Sequence, residues 1–207
     1  MTAIRIEKSY SAAYEELMRV IAGTHRGRRL SGPQGTTLRP TSDKVREALF
    51  SILGSRIPGS RFLDLYAGTG AVGIEALSRG ATVVTFVESD PKAVQVMRKN
   101  LTACGLLERA DLRVGLTKMF FERPHWWNGP YDVLFADPPY AAKEAVDLVL
   151  ESWGIGLLTE NAVMVIEQDV RAILPTATDR ATLIRRYDYG DSALFVYGPA
   201  TQDRSAS

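Results

Sequence analysis

Residues 62–81 constrain the fold of this chain more than any other part of the sequence. They begin with the short apolar run FLDL at 62–65, which is typical of a buried strand, and a glycine-containing turn follows it. From Val72 onward the apolar residues recur at helical spacing until Gly80. Glycine adopts positive φ without a steric cost, and the first amides of a helix have no partner inside that helix. The stretch therefore predicts a strand, a turn and a helix whose N-terminus can face a nucleotide-type ligand.

The turn alone fits two classes of cofactor. Residues 68–73 read G-x-G-x-x-G, and Glu88 follows about 20 positions after Gly68, as in dinucleotide-binding proteins. Asp64, however, would place a carboxylate beside a bound pyrophosphate, where the two like charges would repel. S-adenosylmethionine carries an ammonium and a sulfonium, which suit that carboxylate better. The pattern leaves NAD open, and Asp64 favours S-adenosylmethionine.

Composition indicates a cytoplasmic globular protein. The chain has 207 residues, of which 45% are hydrophobic and 24% charged, enough for one domain with a core and a small appendage. No apolar run approaches the roughly 18 residues of a membrane helix, and the N-terminus lacks the pattern of a secretory signal. The single cysteine, Cys104, is expected to be a buried thiol. We expect a monomer with no membrane partner and no metal.

The charge distribution is strongly asymmetric. The net charge of the chain is +1, yet residues 18–46 hold seven basic residues and one acid, a net charge of +6. A basic segment on a nearly neutral protein is typical of contact with a phosphate backbone. The candidates for RNA contact are Arg19, Arg26, Arg28, Arg29, Arg39, Lys44 and Arg46.

Strand and helix patterns alternate along the rest of the chain. Strands are predicted at 62–65, 82–87, 112–114, 131–136, 162–166, 182–187 and 193–197, with helices at 45–53, 72–77, 91–101 and 142–153. The last two strands flank a turn and predict an antiparallel hairpin. Two further short strands, at 20–23 and 28–30, predict a basic hairpin that projects ahead of the main domain. The fold expected is α/β and Rossmann-like, with a mostly parallel seven-stranded sheet, an antiparallel C-terminal edge hairpin and a small N-terminal basic β-hairpin.

A second motif, Asp137-Pro138-Pro139-Tyr140, follows the fourth strand. Ligands of open parallel sheets bind beyond the carboxyl ends of the strands, so Asp64, Glu88 and Asp137 are expected at one rim. Because proline restricts the backbone and has no N–H, the carbonyls of Asp137 and Pro138 are expected to be free to accept from a ligand. Acceptors beside an aromatic ring suit a planar exocyclic amine such as guanine N2, with Tyr140 stacking on the base.

Four segments together resemble the RsmD family of small-subunit ribosomal RNA guanine-N2 methyltransferases, within the class I S-adenosylmethionine-dependent superfamily. The matching residues are RVIAG at 19–23 with GRRL at 27–30, RPTSDKVRE at 39–47, LDLYAGTG at 63–70 and DPPY at 137–140. The resemblance implies a class I methyltransferase fold and methylation of 16S ribosomal RNA, in a small ribosomal subunit or its precursor.

The resemblance also implies roles for individual residues. Asp64, Tyr66, Gly68 and Gly70 would contact the methionine end of S-adenosylmethionine, and Glu88 its ribose hydroxyls. The target guanine would be held by the catalytic residues Asp137, Pro138 and Tyr140. Related enzymes often carry an acidic residue after the third strand that holds the adenine amine; here the loop reads GLTK at 115–118, and Thr117 is the candidate to replace it.

The expected organisation is an N-terminal extension (1–17), a basic hairpin arm (18–40), the methyltransferase domain (41–200) and a flexible tail (201–207). Two alternatives stay open. A motif of this type also serves adenine N6 in DNA and glutamine amides in proteins, although the aspartate at 137 and the basic arm favour RNA. The chain could also be a non-catalytic RNA-binding assembly factor that kept the fold.

Overall fold

Strands and helices alternate along the chain, as the sequence predicts. The computed structural model describes residues 18–32, 43–139 and 143–200. The strands are β1 (Arg61–Leu65), β2 (Val83–Glu88), β3 (Ala110–Val114), β4 (Tyr131–Ala136), β5 (Leu158–Asp169), β6 (Ala181–Tyr189) and β7 (Ser192–Pro199). The helices are α1 (Asp43–Leu53), α2 (Ala71–Ser78), α3 (Pro91–Cys104), α4 (Thr117–Phe121) and α5 (Lys143–Leu150). Within these described ranges, no helix has the length and apolar character needed to span a membrane.

The seven strands form one sheet in the order β3-β2-β1-β4-β5-β7-β6. The strands β1 to β5 pair in parallel, whereas β7 pairs antiparallel with both β5 and β6. The predicted mostly parallel sheet with an antiparallel C-terminal edge is confirmed. The order reverses between β1 and β4, which is where an open α/β sheet forms its ligand crevice.

Each face of the sheet buries its own apolar layer, because successive side chains of a strand point to opposite faces. Phe62 belongs to the layer covered by α1, α2 and α3, and Leu63 to the layer covered by α4 and α5. Cys104 lies in the first layer as a buried free thiol, as expected. The two layers hold the carboxyl ends of the central strands in fixed positions.

Several elements differ from the prediction in their bounds, and one helix was not predicted. β5 begins at Leu158 rather than at 162, because its first residues pair with β4 although polar side chains interrupt the apolar run. β3 begins at Ala110, two residues before the predicted start. The predicted helix 142–153 ends at Leu150 and tightens into a 3₁₀ turn over Glu151–Trp153. The five-residue helix α4 was not predicted, since its apolar residues are too few to show a period.

The N-terminal basic hairpin does not project from the domain, and this expectation was wrong. It is a turn closed by an antiparallel bridge between Arg19 and Arg29. Its backbone is fastened to α2, where the Glu75 carboxylate accepts hydrogen bonds from the amides of residues 21 and 22 at 2.7 and 2.9 Å. Gly23 is required there, since a Cβ at this residue would lie 2.0 Å from the carbonyl oxygen of Ser78.

The hairpin also contributes apolar side chains to the core, namely Met18, Val20 and Leu30. Its position relative to the sheet is therefore fixed by both packing and hydrogen bonds. The predicted boundary between arm and domain at residue 40 lies outside the described residues, as do the segments 1–17 and 201–207, so this division stays a prediction.

Candidate active site

Strand register brings the candidate residues to one rim of the sheet. Leu65 of β1 pairs with Val87 of β2 on one side and with Ala136 of β4 on the other. The residues that follow these three are Tyr66, Glu88 and Asp137. The three carboxyl ends thus place an aromatic side chain and two carboxylates next to one another, beyond the point where the strand order reverses.

Two carboxylates accept hydrogen bonds from backbone amides of the glycine turn and of the helix that follows it. Glu88 Oε2 accepts from the Gly68 amide at 2.7 Å, and Asp64 Oδ2 accepts from the Gly73 amide in the first turn of α2 at 2.9 Å. A bound pyrophosphate would need such amides as donors, and it would also meet two negative charges. The arrangement therefore favours a cofactor that brings positive charge over a dinucleotide.

Glu88 also organises the start of α3. Its second oxygen, Oε1, accepts from the amides of Ser89 and Asp90 at 2.7 and 2.8 Å. A carboxylate has about four acceptor sites, so three accepted hydrogen bonds leave capacity for one more donor. Glu88 is half-buried, which leaves it accessible from the rim.

Asp64 lies beneath the turn with 1% of its surface exposed. Burial raises the pKa of its carboxyl to about 7; the hydrogen bond from Gly73 lowers it in part, and the nearby Glu88 charge raises it further. Asp64 therefore exchanges a proton close to neutral pH. An ammonium brought by a cofactor would favour the ionised carboxylate.

We expect cofactor affinity to depend on the protonation of Asp64. As the pH rises through about 7, Asp64 ionises, and affinity for a cationic cofactor should increase. Below this value the change should approach about tenfold per pH unit for one linked proton. Titration calorimetry with S-adenosylhomocysteine in buffers of different ionisation enthalpy measures the released proton.

The control is Asp64→Asn, which keeps an oxygen for the Gly73 amide and should retain only the pH dependence of the ligand's own amine. Equal pH dependence in both proteins would contradict the assignment.

Asp64 also makes the stability of the unliganded protein depend on pH. Because the pKa of Asp64 in the folded protein lies above the ordinary value of 3.8, its contribution to stability is fully present below pH 3.8 and is lost as the pH rises through about 7.

Tyr66 has a strained backbone at the end of β1. Its φ is +61°, a left-handed conformation that costs a residue with a Cβ about 1–3 kcal/mol. Burial raises the pKa of Tyr66, and a hydrogen bond with the side chain of Thr117 lowers it in part. Thr117 itself is buried at the start of α4. Its hydroxyl thus contacts Tyr66, and its predicted contact with adenine stays a prediction.

The DPP segment is held in place by a residue that sequence reasoning missed. Gln168 at the end of β5 donates from Nε2 to the carbonyl oxygen of Pro138 at 2.7 Å, and 3% of its surface is exposed. The expectation that this carbonyl has no protein partner was wrong, since β5 lies beside β4 and brings the amide to it. Asp137 lies at the rim, half-buried, and Tyr140 is outside the described residues.

We expect Gln168→Ala to lower kcat while leaving KM for RNA unchanged. Without the amide, Pro138 loses a buried partner and the segment that carries Asp137 can shift, and small misplacements of a catalytic group cost up to about a hundredfold. Ser152→Ala is the matched control, because it removes another buried hydrogen bond, from Ser152 Oγ to the Val149 carbonyl. Steady-state kinetics with thermal melts separate the two: both variants lose stability, and only Gln168→Ala loses kcat. Equal kcat losses would contradict this role for Gln168.

Most of the predicted RNA-contact residues that the structure describes are exposed. Arg19, Arg26, Arg28 and Arg29 on the hairpin and Lys44 at the start of α1 are all exposed. Arg39 lies outside the described residues.

Arg46 is different, and its predicted contact with RNA is corrected. Its side chain is 0% exposed, and its Nη2 donates to the carbonyl oxygen of Arg19 at 2.7 Å and to Asp43 at 2.6 Å. It fastens α1 to the hairpin and presents no charge at the surface. The sequence pattern could not show this, because the partner carbonyl lies 27 positions away.

The chain is similar to known proteins in both sequence and fold. The family described as conserved hypothetical protein 95 matches residues 18–198. Ribosomal RNA small subunit methyltransferase D of Escherichia coli K12 is 35% identical over 192 residues, 91% of this chain and 93% of the relative. The protein of the same name from Haemophilus influenzae is 39% identical over 158 residues, 73% of this chain and 79% of the relative. The chain belongs to the RsmD family.

The fold comparison agrees with membership of the RsmD family. The solved structure of yhhF from Escherichia coli superposes with a TM-score of 0.77 at 34% identity, and the match covers 89% of this chain and 98% of that one. The resemblance inferred from the four sequence segments and the methyltransferase fold that it implied are confirmed.

Among the buried polar residues that sequence reasoning missed in this RsmD-family chain, Glu75 and Asn100 join Gln168 in holding distant segments together. Glu75 lies on the mostly apolar helix α2 and anchors the hairpin. Asn100 lies on the apolar face of α3 and contacts both Ser31 and the carbonyl of Thr69. A polar residue at a buried helical position was the available signal in both cases, since such groups need partners.

Proposed function

We propose that this chain transfers a methyl group from S-adenosylmethionine to the exocyclic N2 of a guanine in 16S ribosomal RNA. The observation that carries the proposal is the rim itself, where carboxylates occupy the glycine-turn amides and Asp137 stands beside them. Such a rim suits a cationic cofactor and a substrate amine. The names of the RsmD-family relatives point to small-subunit ribosomal RNA as the substrate.

The cofactor site is formed by the turn between β1 and α2 together with the end of β2. Asp64 and the backbone of Tyr66, Gly68 and Gly70 would hold the methionine end, with Asp64 ionised opposite the ammonium. Glu88 has one acceptor site left for a ribose hydroxyl. When bound, S-adenosylmethionine supplies an electrophilic methyl group on its sulfonium.

Asp137 would position the target amine. The N2 amine of guanine is conjugated with its ring and weakly nucleophilic, so it must be oriented and its developing charge stabilised. The Asp137 carboxylate accepts one N–H and offsets the positive charge that develops on nitrogen during transfer. The Pro138 carbonyl, which Gln168 holds through one lone pair, can accept with the other.

RNA fits the surroundings of this site better than a protein substrate. The hairpin that carries four exposed arginines packs into the layer covered by α2, and its Met18 contacts Thr69 of the glycine turn. The base must leave its stack to reach Asp137, so a loop nucleotide is the expected target and Tyr140 its stacking partner. The expected setting is a cytoplasmic monomer that acts on a small ribosomal subunit or its precursor.

Methyl transfer from labelled cofactor tests the proposal directly. The protein is incubated with small ribosomal subunits, naked 16S RNA or duplex DNA, and the labelled nucleoside is identified by mass spectrometry. The expected product is N2-methylguanine in the RNA of one of the first two substrates. Label in adenine of duplex DNA alone, or cofactor binding with no transfer to any substrate, would overturn the proposal.

A further inference from the structure

Helix α3 carries a cationic surface that neither cofactor binding nor RNA contact by the hairpin explains. Its 14 residues include three basic side chains and no acid. We call Lys92, Arg98 and Lys99 the α3 basic ridge; all three are exposed. Among the residues that the structure describes, none of the three forms an ion pair. The nearest acids along the chain are Asp90, which caps the helix through the Lys92 amide, and Glu108 beyond its end.

The ridge does not serve the stability of its own helix. A helix is stabilised by acids in its first turn and by bases in its last, because of the macrodipole. α3 has no acid in the first turn and no base in the last, and it places Lys92 near its N-terminus. Arg98 and Lys99 have no acidic partner three or four positions away within the helix. An anionic partner outside the chain would account for this arrangement.

Asn100 connects the ridge to the hairpin and to the glycine turn. Its Oδ1 accepts from the Ser31 amide at 2.7 Å, and its Nδ2 donates to the carbonyls of Ser31 and Thr69, each at 3.1 Å. Asn100 is buried with 2% exposure, so these contacts fix the end of the hairpin against α3. Burial raises the pKa of the Cys104 thiol on α3, and the Arg28 charge close by lowers it in part. The hairpin arginines and α3 therefore form adjoining parts of one surface.

We propose that α3 extends the RNA-binding surface, with the RNA backbone running from the hairpin arginines across Lys92, Arg98 and Lys99. Lys92 and Lys99 lie two turns apart on the same side of the helix, about 10 Å along its axis. The proposal rests on the RNA-binding part of the proposed function, since it assumes that the hairpin meets RNA. The proposal adds α3 as a second element that binds phosphates, and it predicts that the RNA passes beside the glycine turn.

RNA fits this surface better than an anionic membrane. Helices that bind membranes present Trp, Phe or Leu beside their basic residues, so that an apolar face enters the lipid. The exposed positions of α3 are polar or small, apart from the half-buried Val96, and its large apolar side chains point into the core. The ridge presents positive charge, which phosphate contacts require, and it has no apolar anchor for a membrane.

The test compares two variants with the same change in charge. In the ridge variant Lys92, Arg98 and Lys99 are each replaced by Gln, which has a similar helix propensity and removes the charge. In the control variant the exposed Arg56, Arg180 and Arg185 are replaced by Gln; they lie on the turn after α1 and at the β6 edge. Binding of 16S RNA is measured at several salt concentrations for the native chain and both variants, with circular dichroism to check folding.

We expect the ridge variant alone to bind RNA more weakly, with a salt slope lower by about 2–3 units, at roughly 0.7–0.9 per phosphate contact. Unchanged slope, or equal losses in both variants, would overturn the proposal. The proposal would also be overturned if the ridge variant lost binding to phosphatidylserine vesicles but kept its affinity for RNA. Methyl transfer is assayed in parallel: a native chain that binds RNA through the ridge without methylating it would overturn the proposed function and leave this inference standing, whereas a native chain that binds no RNA would overturn both.

Discussion

An Asp137→Ala variant should lose methyl transfer while its affinity for RNA stays within a few fold of the native chain. The carboxylate is the acceptor that we place on the target amine, and removal of one group that stabilises developing charge costs about a hundred- to thousandfold in kcat. RNA affinity depends on the basic surface, which the substitution does not touch. Single-turnover methylation and filter binding with the same RNA measure the two effects.

Asp132→Ala is the matched control for Asp137→Ala. Asp132 lies on the same strand, β4, near its opposite end, where its carboxylate accepts from the Arg61 amide at 2.9 Å. Its loss should reduce stability and leave kcat unchanged. A fall in kcat of similar size in both variants would show that Asp137 acts through the fold and has no direct role at the amine.

Replacing Arg26, Arg28 and Arg29 by Gln should weaken RNA binding by roughly tenfold or more and lower the salt slope by about 2–3 units. The hairpin should keep its position, because Glu75 and Ser78 hold its backbone and the three side chains are exposed. Cofactor affinity should not change. Salt titrations of RNA binding, with calorimetry for the cofactor, test both statements.

Arg46→Gln should behave differently from the three hairpin substitutions. The buried guanidinium binds the Arg19 carbonyl and Asp43, so its loss should lower the melting temperature and have little effect on the salt slope. The charge-matched control for the three hairpin substitutions is the Arg56, Arg180 and Arg185 variant, which should retain RNA binding. An unchanged slope in the hairpin variant would exclude the hairpin from the RNA interface.

The central part of the fold could be predicted from sequence because its signals are local. The apolar run before the glycine turn and the helical spacing after it define β1 and α2 within 20 residues. The rule that ligands bind at the carboxyl ends of parallel strands then placed Glu88 and Asp137 at one rim, where the register has them.

The remaining features depend on contacts between distant parts of the chain. Pro138 meets Gln168 because β5 lies beside β4, and no local pattern specifies that order. The hairpin docks on α2 through Glu75, which lies more than 50 positions away. Net charge alone could not distinguish the buried Arg46 from the exposed basic residues near it, since burial does not change the residue type seen in the sequence.

Mass mapping of ribosomal RNA from a strain that lacks this protein tests the central claim most directly. We predict that one guanine of 16S RNA loses its N2-methyl group and that the native gene restores it, whereas the gene for Asp137→Ala does not. A 16S RNA with every methylated guanine intact in that strain would contradict the account.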